Sequence, residues 1–179
     1  MAVTSVCVYC GSRMGTKTAY EEAARSLGEA LAKAGLRLVY GAGDVGLMGT
    51  VARAAQGAGG ETFGVIPQHL VKREICKRDL TTYVVTETMH ERKKVMLYNA
   101  DAVLLLPGGM GSLDELFEAI TWKQLGLHNK PIILLNTEGY WEPLHALVDH
   151  IVSEGFAASD HAAALTWVET PAEAIAALR

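Results

Sequence analysis

Short apolar runs alternate with helix-period segments along this whole chain, and that alternation constrains its fold more than any other feature. A continuous apolar run of four to six residues suits a strand covered on both faces, and such strands belong to parallel sheets flanked by helices. Strands are predicted at residues 5–10, 36–40, 62–66, 83–86, 102–106, 132–135 and 165–168. Helices are predicted at 19–34, after the glycine-rich loop 41–49, at 89–99, from near Ser112, at 142–153 and from Pro171. The pattern predicts one domain over residues 1–179, a three-layer Rossmann-like doubly wound α/β fold with a mainly parallel sheet and helices on both faces. Ligands of such a fold bind at the carboxyl ends of the strands.

Composition removes several function classes. The chain has 179 residues, half of them apolar, enough for a core burying roughly two-thirds of the unfolded surface. No apolar run reaches the roughly 18 residues of a membrane span, so no membrane partner is expected. The opening MAVTSVCVYCGS has no basic stretch before its apolar segment, which predicts no secretory leader. Three cysteines, an odd count, argue for a reducing, cytoplasmic compartment rather than a disulfide framework. Cys7 and Cys10 form a C-x-x-C, but strand geometry at that odd spacing sends their side chains to opposite faces, unlike a redox pair.

The net charge of −4 argues against nucleic acid as a partner, yet the charge is unevenly spread. From Lys72 to Lys94 the chain carries seven basic residues against four acidic ones, a +3 island on a −7 remainder. Such an island suits either a local anionic ligand or a solvated charged loop.

Four predicted strand ends invite a motif reading. The first, Gly11 to Thr18, falls short of a P-loop because Thr16 stands where glycine must precede the lysine. The second, Gly41-Ala42-Gly43-Asp44-Val45-Gly46, fits G-x-G-x-x-G, but the next strand offers no acidic residue at its far end for a ribose. A role for one phosphate, or a purely structural one, therefore ranks above a dinucleotide site. The third, Pro107-Gly108-Gly109-Met110-Gly111-Ser112-Leu113-Asp114-Glu115, runs from a buried strand onto a helix N-terminus, where free amides and the helix dipole favour an anion. Ser112 and Glu115 also fit an ordinary S-x-x-E capping box, and the sequence leaves Glu115 open as cap or catalyst. The fourth, Met89 to Lys94, brings Arg92 and Lys93 to a helix start at the same predicted sheet edge, where a guanidinium can grip a phosphate or ribose. The six histidines form no metal-binding pattern, and no G-x-S-x-G elbow is present.

Taken together, Met89–Lys93 and the run from Pro107 to Glu115 resemble the Lonely guy (LOG) family of cytokinin riboside 5'-monophosphate phosphoribohydrolases, whose signature is P-G-G-x-G-T-x-x-E. Here Ser112 replaces the threonine and Ala42 replaces a glycine common in the second loop. The resemblance extends to Cys7–Ser12, Tyr40–Gly49 and Thr121–Gly126. It implies hydrolysis of the N-glycosidic bond of a purine nucleoside 5'-monophosphate, leaving open whether the base is adenine or an N6-prenylated cytokinin. It implies Arg92 and Glu115 as the catalytic pair. Substrate contacts are expected at Glu74, Lys93, Gly108, Gly109, Met110, Gly111, Ser112 and Thr121, with Ser12, Gly41 and Gly43 beside them. It further implies a homodimer without metal or redox cofactor. Many family members carry a lysine decarboxylase label, but such an enzyme needs a cofactor-binding lysine and a larger scaffold. A non-catalytic nucleotide or cofactor carrier of the same fold ranks second, and an NAD-dependent oxidoreductase third.

Overall fold

The computed structural model describes residues 2–71 and 76–179, whose seven strands form one sheet in which all neighbours run parallel. The strands are β1 (Ser5–Tyr9), β2 (Arg37–Tyr40), β3 (Thr62–Pro67), β4 (Thr82–Thr86), β5 (Ala102–Leu105), β6 (Ile132–Leu135) and β7 (Leu165–Val168), in the order β4-β3-β2-β1-β5-β6-β7. The helices are α1 (Thr18–Lys33), α2 (Gly46–Gly57), the short α3 (Gln68–Val71), α4 (Met89–Tyr98), α5 (Met110–Gln124), α6 (Glu142–Ser153), the short α7 (Ser159–Ala163) and α8 (Pro171–Ala176). Every expected strand is present, its bounds moved by no more than one residue. The sheet is wholly rather than mainly parallel. Helices α3 and α7 were not expected, since four or five residues hold too little of a 3.6-residue period to read.

Helix α1 shows how the sequence selects its layer. Tyr20, Ala23, Ala24, Leu27 and Leu31 recur at helical spacing and are buried, while Glu21–Arg25 and Glu29–Lys33 pair four residues apart on the wet face. One apolar core lies between the sheet and α1, α2 and α8, and a second between the sheet and α4, α5 and α6. Cys7 falls in the second and Cys10 in the first, as the period of two requires. Burial pushes both thiols well above their ordinary range, so neither is poised as a thiolate.

From β1 the chain steps outward one way to β4, then β5 returns to pair with the other side of β1, Val6 beside Ala102 through Tyr9 beside Leu105. This reversal of direction opens a crevice above the carboxyl ends of β1 and β5. At the other edge Asp101 pins the two strands, its Oδ2 accepting hydrogen bonds of 2.8 to 3.1 Å from the amides and hydroxyls of Thr4 and Ser5.

Helices α1 and α2 approach most closely at Gly28, where a Cβ would meet the Val51 carbonyl oxygen and the Ala54 side chain. Gly28→Ala should therefore destabilise the chain by about 1–3 kcal/mol in denaturant unfolding, although alanine is the better helix former. A gain in stability would show that the helices can part there at no cost.

Candidate active site

A single residue stitches three elements together at the crevice. The Gly11 amide donates to the Pro107 carbonyl at 3.0 Å, and the Gly11 carbonyl accepts from the amides of Leu47 and Met48 at 3.0 and 3.3 Å. The end of β1 is thereby joined to the loop after β5 and to the first turn of α2. Gly46, at φ +60°, lies so close to the Ser12–Arg13 backbone that a Cβ has no room. The Leu47 and Met48 amides at the start of α2 are thus spent on the protein's own carbonyl.

Above this junction lies a cavity of about 660 Å³, within the range of small-molecule sites. The loop after β1 supplies Cys10 to Gly15, the β5–α5 loop and α5 supply Pro107 to Ser112 and Glu115, and α4 supplies Met89 and Arg92. Tyr20, Met48 and Tyr140 close its apolar side.

Helix α5 begins at Met110 with Gly109 as its N-cap and no side-chain cap, so Ser112 and Glu115 do not form the capping box their spacing permits. Helix geometry leaves the amides of Met110, Gly111 and Ser112 without an intrahelical acceptor, and they donate to no other described group. Ser112 is only 4% exposed and lines the cavity, yet its hydroxyl bonds no described residue. Free amides, a dipole end and a spare hydroxyl converge there on one point.

Arg92 is 7% exposed and held by main chain rather than by carboxylates. Its Nε donates to the Val65 carbonyl at 3.0 Å and its Nη2 to the Gly41 carbonyl at 2.8 Å. A Cβ on Gly41 would collide with that guanidinium, so Gly41 serves as the seat of Arg92. Gly43 admits the Met48 side chain in the same way. Ala42, between them, adopts φ +56°, where glycine would sit without strain. Gly41 and Gly43 thus shape the site from behind its wall.

Glu115, half-buried in the cavity wall, makes no hydrogen bond or ion pair with a described residue. Burial pushes its carboxyl up to about 7; Arg92 and Lys93 pull the other way, while Asp114 and Glu118 add to the rise. Lys93 turns away from the cavity and joins Asp114 at 3.0 Å and Glu118 at 2.5 Å on α5. Lys77 pairs with Asp79 at 3.0 Å, so these two members of the basic island are already matched with carboxylates. Among the described residues, the cavity draws its cations from Arg92 and from Arg13 of the β1–α1 loop.

Of the residues singled out in the sequence, the structure gathers Ser12, Arg92, Gly108, Gly109, Met110, Gly111, Ser112 and Glu115 around one cavity. Lys93, Gly41, Gly43 and Thr121 lie outside its lining, Thr121 exposed on α5. Glu74 lies outside the described residues. Sequence reasoning passed over Arg13, Tyr20, Met48 and Tyr140; Arg13 and Tyr140 had a legible signal, since each closely follows the carboxyl end of a strand, β1 and β6. Among the described residues no group of three His, Cys, Asp or Glu side chains is placed to hold a metal ion.

A family described as "Possible lysine decarboxylase" matches residues 48–178. The cytokinin riboside 5'-monophosphate phosphoribohydrolase LOG of Oryza sativa subsp. japonica is 48% identical over 155 residues, 87% of this chain and 64% of the rice protein. The cytokinin riboside 5'-monophosphate phosphoribohydrolase LOG2 of Arabidopsis thaliana is 45% identical over 154 residues, 86% of this chain and 72% of its own length. The chain belongs to the LOG family. It spans slightly less than two thirds of the rice LOG protein's length. The fold is shared more widely: the molybdenum cofactor carrier protein of Chlamydomonas reinhardtii superimposes with a TM-score of 0.74 at 22% identity, covering 97% of this chain and 94% of the carrier.

The Glu115 carboxyl of this LOG-family chain, without a partner among the described residues, has a measurable cost. Its folded value, about 7, lies above its ordinary 4.5, so the folded state holds the proton more tightly and loses stability as pH rises between those values. Glu115→Gln should match the parent near pH 4 and exceed it by about 1–3 kcal/mol at pH 8 in denaturant titrations. Equal stability at pH 8 would mean that the carboxylate has a partner in solution.

Proposed function

We propose that this chain, as one nucleotide-binding domain over residues 1–179, hydrolyses the N-glycosidic bond of purine nucleoside 5'-monophosphates to free base and ribose 5-phosphate. The observation that carries this reading is Glu115: a carboxyl lifted to about 7 and paired with none of the described residues, in one cavity with Arg92 and with a helix N-terminus open to an anion. The phosphoribohydrolase activity for which the rice and Arabidopsis relatives are named supports it.

The 5'-phosphate sits on the amides of Met110, Gly111 and Ser112 with the Ser112 hydroxyl. Glu115 follows five residues after Met110, about 7.5 Å further along the helix axis, so the two negative groups stand at opposite ends of the ribose. As the C1'–N9 bond breaks, positive charge develops on the sugar, and the Glu115 carboxylate stabilises it. Water adds its oxygen to C1', one of its protons passing to Glu115 and thence to solvent, and the departing base takes a proton to leave neutral. Arg92, unable to act as an acid, holds substrate through the edge of its guanidinium that Val65 and Gly41 leave free. Lys93 acts at one remove: by binding Asp114 and Glu118 it limits the negative potential around Glu115. Glu74 and Thr121 are assigned to substrate contact by family position alone.

A homodimer is supported by an apolar patch beside α4 and α5, where Tyr98 lies 6.3 Å from Trp122 and the exposed Leu125 and Leu127 follow. The thiols of Cys7 and Cys10, buried in the two cores and joined in no disulfide, suit a cytoplasmic location. Among the described residues no helix is long and apolar enough to cross a membrane.

Adenine release from AMP should fall at least about 100-fold in Glu115→Gln and in Arg92→Ala. Near-parent turnover in either variant, or stoichiometric binding of AMP without base release, would instead favour a carrier. Because the ionised carboxylate is the active form, kcat/KM should rise with pH through an apparent value near 7 and level off above it. In Gly41→Ala the displaced guanidinium should cost most of what Arg92→Ala costs, read in the same assay.

A further inference from the structure

Tyr140 lines the cavity just after a single turn of 3-10 helix over Thr137–Gly139. Its ring is fixed edge-on against Tyr20, with centroids 5.3 Å apart, and against Trp141 at 4.7 Å. The turn before it is strained, since Glu138 adopts φ +56° without being glycine, and Glu138 also pairs with Lys17 at 3.6 Å. From this held position the Tyr140 hydroxyl donates to the Gly108 carbonyl at 2.5 Å.

That carbonyl belongs to the same peptide group as the Gly109 amide, and in a trans peptide the two point in opposite directions. Holding the carbonyl on Tyr140 therefore aims the Gly109 amide away from Tyr140. The peptide lies between two glycines, so without an anchor it can turn over at small steric cost and present its oxygen where its amide had been. Beside it the Ser112 hydroxyl, more than nine-tenths buried and without a partner among the described residues, independently marks the same point as a ligand seat.

We propose that Tyr140 is a positioning residue for phosphate recognition: its hydroxyl locks the Gly108–Gly109 peptide so that the amide, not the carbonyl, faces the anion on the α5 N-terminus. The inference rests on the proposed seating of the 5'-phosphate there. It makes a residue of the β6–α6 connection a condition for the α5 loop to bind an anion, since a turned peptide exchanges an attractive dipole for a repulsive one.

Tyr140→Phe keeps the ring and its packing and removes only the hydroxyl. Inorganic phosphate, used as a competitor of AMP hydrolysis, should bind the variant about tenfold more weakly, and KM for AMP should rise by a similar factor. The kcat at saturating AMP should stay within about threefold and the melting temperature within about 2 °C, a split that a general loss of structure would not give. Phosphate affinity within twofold of the parent would overturn the proposal. Amide NMR of the parent chain supplies a reading that does not depend on the variant's folding: phosphate should shift the Gly109 resonance, and a Gly109 signal that stays put would overturn the proposal as well. Tyr140-dependent phosphate binding in a chain that releases no base would sink the hydrolase reading and keep the anchor. AMP hydrolysis with phosphate binding indifferent to the hydroxyl would do the reverse.

Discussion

The backbone of Gly11 is the constraint on which the rest of the site depends. One peptide unit donates to the loop that ends β5, and the next accepts from the first turn of α2, so both glycine loops are placed relative to β1 by the same residue. The crevice at the sheet's reversal point is created by topology, but its shape is set by these three bonds. Buried main-chain groups need partners, and here they find them in each other. One helix N-terminus is consumed in building the site, and the other is left free to serve it.

That division explains what could be read in advance and what could not. The strands and their parallel, helix-covered sheet follow from apolar runs such as residues 102–106 and 132–135, whose continuous burial suits a strand covered on both faces, whereas the strand order came only with the structure. The third glycine loop was legible because a run of glycines before a helix has few other uses. The second was legible only as a pattern: its Gly41 and Gly43 are needed for the Arg92 guanidinium and for Met48, and no local rule reveals which distant side chain will fill the space a missing Cβ leaves. Glu115 fitted a capping box as well as a cavity wall, and the choice turned on the helix starting two residues before Ser112.

Charge was the least legible property. The island from Lys72 to Lys94 was counted along the chain, whereas Lys93 is neutralised across space by two carboxylates of α5 and Lys77 by Asp79. Arg92 keeps its charge available because its partners are carbonyls, which orient a guanidinium without neutralising it. A sequence sum treats those environments alike, and the difference between them decides how much positive potential reaches Glu115.

The free amides at the start of α5 and the unpaired carboxyl of Glu115 lie on one helix. In the proposed reaction the interval between the anchored end of the substrate and the bond to be broken is then a helical ruler, set by covalent geometry and pitch rather than by how tightly loops are packed. Loosening the surrounding fold changes how often the site is assembled, while the ruler itself keeps its length. Bond selectivity in such an enzyme should consequently outlast its speed when mutations accumulate around it.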